Sequence, residues 1–137
     1  MTFRKYLRYF LFIGTNWNYL LAFFTIRHEI RGERKYDLDT TELVDIHHLP
    51  VLGNNLHHAS NYQAANYFLL EKAFSYLQSI QANASLLDFG CGKGRVMAVA
   101  AHFGFKQIKG VDFADELIRQ AEHTLGPVKE KFPLVKF

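Results

Sequence analysis

Gly90, Gly92 and Gly94 alternate with other residues directly after an apolar run, Leu86 to Phe89, and directly before a helix-like pattern. Residues without a side chain adopt positive backbone dihedrals in a tight turn and let a ligand approach the main chain closely. Such a loop is expected to aim backbone N–H groups and a helix N-terminus at whatever lies above the strand, an end that attracts an anionic group. Two carboxylates bracket the segment: Asp88 precedes the first glycine by two positions, and Asp112 stands at the close of the next apolar run. The chemistry this implies is the holding of a small polar molecule against bare main chain.

Three glycine-loop patterns compete for that ligand. A phosphate-binding P-loop needs Lys followed by Ser or Thr after a four-residue gap, and this loop has neither the gap nor the hydroxyl. The dinucleotide fingerprint sets its third glycine three residues after the second, where this chain has Arg95; here the third glycine comes at Gly94. Asp88 would repel a pyrophosphate and favours a ligand with a positive group. S-adenosylmethionine offers an ammonium and a sulfonium, with a single carboxylate to meet the helix N-terminus. Asp112 is placed to accept hydrogen bonds from ribose hydroxyls, as an acidic residue does in nucleoside-binding sheets. A nicotinamide-binding domain stays open as a further reading.

The elements that must position these groups follow from periodicity. Leu86–Phe89 suits a short buried parallel strand. A helix is expected from about Gly94, with Val96, Val99, Ala100 and Phe103 on one stripe and Gly104 closing it. Gln107–Phe113 reads as a second strand, and Ala114, Leu117, Ile118, Ala121 and Leu125 mark a helix ended by Gly126 and Pro127. Upstream, Ser60 or Asn61 is expected to cap a helix to about Ile80, with Leu70, Ala73, Phe74 and Leu77 inward, and Gln81–Ser85 connects it to the strand. The order is that of an α/β fold with a parallel sheet joined by right-handed crossovers. From Trp17, two apolar stripes predict a helix buried on both faces, and the charged stretch from His28 to Asn55, punctuated by Gly32, Pro50 and Gly53, reads as loop.

DFGCGKGR followed by GVDF resembles the first two cofactor motifs of class I S-adenosylmethionine-dependent methyltransferases. Its GKGR ending is similar to a subset that includes lysine methyltransferases and many bacterial relatives. The resemblance implies an incomplete Rossmann-like parallel sheet behind an N-terminal helical segment. It also implies a cofactor-binding run of Asp88, Phe89, Gly90, Cys91, Gly92, Gly94 and Arg95, with the glycines and Asp88 along the methionine part. Asp112 would then meet the ribose and Phe113 the adenine. Tyr62–Leu77 resembles the helix that precedes the loop in these enzymes, where an aromatic or polar residue near the start covers the cofactor; Tyr62 and Gln63 are the candidates. HEIRGERKY looks like the leader of a bacterial group of such enzymes, with no role attached.

By the same resemblance the domains divide into a helical and loop extension over 1–58 and the N-terminal half of the methyltransferase domain over 59–137. Two strands fall short of that family's sheet, so no catalytic residue is named. The chain is expected to be a fragment of a longer product, a shortened relative that no longer methylates, or one half completed by a partner or oligomer. The contrasting reading is a non-catalytic interaction protein built on a cofactor domain.

Composition narrows the partners. A net charge of +3 comes from dispersed bases, which argues against nucleic acid. Cys91 is the only cysteine, so no intrachain disulfide forms and a cytoplasmic setting is expected. Between two glycines, Cys91 reads as a small residue rather than a nucleophile. Tyr9–Ile26 is uncharged and mostly apolar, flanked by Arg4, Lys5, Arg8 and Arg27. Its two asparagines disfavour a membrane span, which leaves a buried helix or peripheral membrane contact. The pairs His47–His48 and His57–His58 are not read as a metal site. Lys93 and Arg95 are read as exposed bases, with contact to an acidic substrate as the functional alternative. Lys129, Lys131 and Lys136 are read as solvated tail.

Overall fold

A computed structural model describes residues 3–44, 62–80 and 84–137. Two helices open the chain, α1 (Phe3–Asn16) and α2 (Tyr19–Tyr36). The uncharged run from Tyr9 to Ile26 is therefore not one helix. It breaks at Trp17–Asn18, where the extended Asn18 caps α2 by accepting the Leu21 N–H at 2.7 Å. The two helices pack as a hairpin through Tyr9, Ile13 and Ala22, and neither stripe is buried as expected: Trp17, Leu20, Leu21 and Phe24 of one and Tyr19 and Phe23 of the other are exposed.

The stretch after His28 was expected to be loop, yet α2 continues through Gly32 to Tyr36. Gly32 is there for packing: a Cβ at that position would stand 2.1 Å from the ring of Tyr67. Its companions Glu29 and Glu33 face inward and the arginines outward, so the charge run divides between two sides of one helix. Asp37 ends α2 in the left-handed region, φ 55°, and returns its N–H to the Glu33 carbonyl.

Two-residue strands β1 (Leu43–Val44) and β2 (Tyr62–Gln63) pair antiparallel. Tyr62 and Gln63 thus lie on a strand, and α3 (Tyr67–Ile80) begins later than the spacing suggests, because the Asn66 side chain accepts the Phe68 N–H at 2.9 Å. The expected caps Ser60 and Asn61 lie outside the described residues, as do Pro50, Gly53 and both histidine pairs.

The remainder follows the expected order: β3 (Ser85–Phe89), α4 (Arg95–His102), β4 (Gln107–Val111) and α5 (Asp115–Lys131). β3 and β4 are parallel, with Asp88 opposite Gly110 and Phe89 opposite Val111. Gly104, φ 81°, closes α4 as expected. α5 does not stop at Gly126–Pro127, since Leu125 and Val128 on either side are both buried in the core, and Pro127 sits on the exposed side of the helix. The chain then returns alongside β4: Ile108 donates its N–H to the Lys136 carbonyl at 2.8 Å, and Lys136 to that of Lys106 at 2.9 Å, in parallel pairing. The Lys136 backbone is therefore sheet even though its side chain is solvated.

One core unites these parts. Tyr36 and Leu38 from the N-terminal segment share it with Tyr67 and Phe74 of α3, Val99 of α4, Ile108 of β4 and Leu125 of α5. The strand expected to be buried is covered on one face only: Leu86 and Ile108 lie on the covered face, whereas Leu87, Phe89 and Val111 on the other, which no helix packs over among the described residues, are exposed. This is an α/β chain whose parallel strands and crossover helix form part of a Rossmann-like fold.

Candidate functional site

The three glycines after β3 all have positive φ, at 78°, 51° and 78°, the region a side chain disfavours. Each also has its own surroundings. Gly90 opens onto free space, Gly92 lies under the Tyr62 ring, where a Cβ would meet it at 2.3 Å, and a Cβ at Gly94 would stand 3.2 Å from the Ala121 side chain. The loop is thus clamped by β2 and α5, with Gly90 at its open mouth.

Its N–H groups are not offered to a ligand as expected. Gly90 and Cys91 both donate to the Val111 carbonyl, at 2.8 and 3.1 Å, and Gly94 donates to Cys91 at 2.8 Å. Gly92 donates to Asp112 Oδ2 at 2.8 Å, while Asp112 Oδ1 accepts the Ala114 N–H at 3.0 Å. Asp112 therefore fastens the loop to the β4–α5 junction, and each of its oxygens retains a further lone pair. The mouth presents carboxylates and bare α-carbons, a poor cradle for a pyrophosphate.

Asp88 completes this. Its Oδ2 is buried without a hydrogen-bond partner among the described residues. Burial, and after it the neighbouring Asp112 charge, pushes its pKa up. A buried acceptor left open beside a second carboxylate fits a cationic or hydrogen-donating group.

The other expected site residues divide. Tyr62 reaches the loop: its ring covers Gly92, Lys93 stands 5.6 Å from its centroid, and its hydroxyl donates to the Thr40 carbonyl at 3.2 Å. Gln63 does not; its amide donates to the Tyr9 hydroxyl at 2.8 Å, tying β2 to α1. Phe113 is 38% exposed next to Asp112, whereas Phe89, 79% exposed, projects from the uncovered sheet face. Cys91 is buried against Gly110, and burial, with the Asp112 and Asp88 charges, pushes its thiol up to about 11, which opposes a nucleophilic role.

Lys93 and Arg95 are not exposed bases. Lys93 is buried and paired with Glu42. Arg95 turns away from the mouth into the N-terminal segment. Its Nη1 donates to Glu29 Oε2 at 2.6 Å and the Ala65 carbonyl at 2.8 Å; its Nη2 to Glu33 Oε1 at 3.2 Å and Thr41 Oγ1 at 2.7 Å; its Nε to Thr40 Oγ1 at 2.7 Å. Those five bonds match the five donors of a guanidinium, so none remains for a ligand. Its plane also stacks on Tyr67, 4.1 Å from the ring centroid. Arg95 is the first residue of α4, so this cluster fixes the helix that the glycine loop feeds.

Glu29, Glu33, Thr40 and Thr41 were not singled out from the sequence. The signal available was two glutamates one helical turn apart in a segment otherwise rich in arginine. Their partner lies more than sixty positions along the chain.

A partial Rossmann-like α/β unit is the class that this strand, loop and helix define. A family model described as a methyltransferase domain matches residues 87–137, beginning within β3 and taking in the loop, α4, β4 and α5. That match supports a class I methyltransferase and does not favour the interaction-protein reading. No curated protein and no solved structure matches the chain.

Proposed function

We propose that the mouth formed by Asp88, Gly90, Tyr62, Asp112 and Phe113 binds S-adenosylmethionine, and that the chain serves methyl transfer. The observation that carries this reading is the unpartnered buried oxygen of Asp88 beside a loop whose N–H groups are bonded internally. When bound, that molecule supplies a methyl group on a sulfonium, which an acceptor takes by in-line displacement with alignment providing most of the acceleration. Asp88 receives the ammonium, Gly90 leaves room for the chain at its Cα, and Asp112 accepts from the ribose hydroxyls with its free lone pairs. Tyr62 walls the loop from β2, and Arg95 acts as a positioning residue through α4.

The test is calorimetric titration with S-adenosylhomocysteine of the 137-residue chain and of Asp88→Asn and Asp112→Asn. Each substitution removes a hydrogen bond to a charged group worth about 1.5–3 kcal/mol, so binding should weaken roughly ten- to hundredfold. A folded wild-type chain that binds NADH tightly and S-adenosylhomocysteine not at all would reject the assignment.

A further inference from the structure

The α1–α2 hairpin carries a surface that the cofactor site does not use. At its tip Trp17, Leu20 and Phe23 are 61%, 68% and 57% exposed, and Tyr19 and Phe24 are open beside them. On α2, Leu20, Phe24, Arg27, Arg31 and Arg34 recur at spacings of three and four, so they run along one outward face, apolar at the tip and basic behind it. On α1, Arg4, Leu7, Arg8 and Leu11 line a separate groove together with Asp39 and Glu42, so their charge is answered there. The acids of α2, Glu29 and Glu33, face inward to Arg95, and no acidic residue precedes Glu29 in the chain. Glu71 of α3, which meets Arg31, is shared with Lys35. Continuous with the tip, a groove of about 660 Å³ between the hairpin and α3 is lined by Ile13, Trp17, Leu21, Phe24, Phe68 and Leu69. Among the described residues no helix is long and apolar enough to cross a membrane.

We propose that this hairpin docks on the surface of an anionic bilayer. Its apolar tip enters the boundary between headgroups and acyl chains, Trp17 and Tyr19 sit at headgroup level, and Arg27 and Arg34 face the lipid charge. A second copy of the chain fits less well, because self-pairing of this face would set Arg27 and Arg34 against their counterparts, and the nearby acid Glu71 is already shared by Arg31 and Lys35. The proposal is independent of the methyl-transfer reading.

Trp17 is the only tryptophan in the chain, so its emission reports on the tip directly. The experiment is co-sedimentation and Trp17 fluorescence with vesicles of phosphatidylcholine alone and of phosphatidylcholine mixed with phosphatidylserine. Binding and a blue shift are expected with the anionic vesicles and should fall as salt is raised. Arg27→Gln and Arg34→Gln should each weaken binding about fivefold. Leu20→Ser with Phe24→Ser should abolish the blue shift, with the circular dichroism spectrum and thermal unfolding midpoint of the wild type retained. Absence of binding to anionic vesicles would overturn the proposal. So would a blue shift that needs no vesicles and grows with protein concentration, which would assign the tip to a second copy.

Discussion

Asp88 carries opposite consequences for stability and for binding. An ionised carboxylate with a buried, unbonded oxygen costs the free chain stability, and the raised pKa has the same cause. With its folded pKa above the unfolded value, the folded chain must release this proton late, so stability falls as pH rises through the raised pKa. Asp88→Asn should remove that loss and raise stability at neutral pH by roughly 1–3 kcal/mol in denaturant titration, with no gain below the unfolded carboxylate range. Affinity for a cationic ligand has the reverse dependence, growing in the wild type as Asp88 ionises. Arg95 behaves differently: Arg95→Met strands Glu29 and Glu33 in the interior and should cost about 3–5 kcal/mol, measured in the same titration. The position of Asp88 and Asp112 beside the glycine loop was legible because it is local, a fixed distance from the glycines. Arg95 was misread because its partners lie on α2, which no local spacing reveals.

At the scale of elements, β3, α4, β4 and most of α5 were legible, since a short apolar run followed by a helical stripe has few other solutions. α2 was hidden by Gly32, which reads as a breaker until the Tyr67 ring is seen against it. Gly32→Ala would improve helix propensity by up to about 1 kcal/mol yet overpack that contact at roughly 1–3 kcal/mol, so a net loss of thermal stability is expected. The hairpin turn rests on a cap, and Asn18→Ala should cost about 1 kcal/mol by chemical denaturation. Tyr62 and Gln63 escaped a strand assignment because their pairing partner, Leu43–Val44, is remote and only two residues long.

For the whole molecule, Tyr36 and Leu38 at the end of the N-terminal segment share the sheet's core, while α1 and the start of α2 pack in a separate small cluster, so the loop's geometry depends on residues far upstream of it. The opposite sheet face exposes Leu87, Phe89 and Val111, on a parallel sheet of a kind that is usually covered on both sides. Leu87→Thr with Phe89→Ser should therefore reduce concentration-dependent association in light scattering without altering S-adenosylhomocysteine affinity. The bare face was not legible, because a short apolar run such as Leu86–Phe89 reads as a strand covered on both sides.

The most direct test of the cofactor site is amide hydrogen exchange with and without saturating S-adenosylmethionine. Added protection is expected at Gly90–Arg95 and Asp112–Ala114, where the loop and the β4–α5 junction meet the ligand. Exchange unchanged there, or protection confined to the α1–α2 groove, would contradict it.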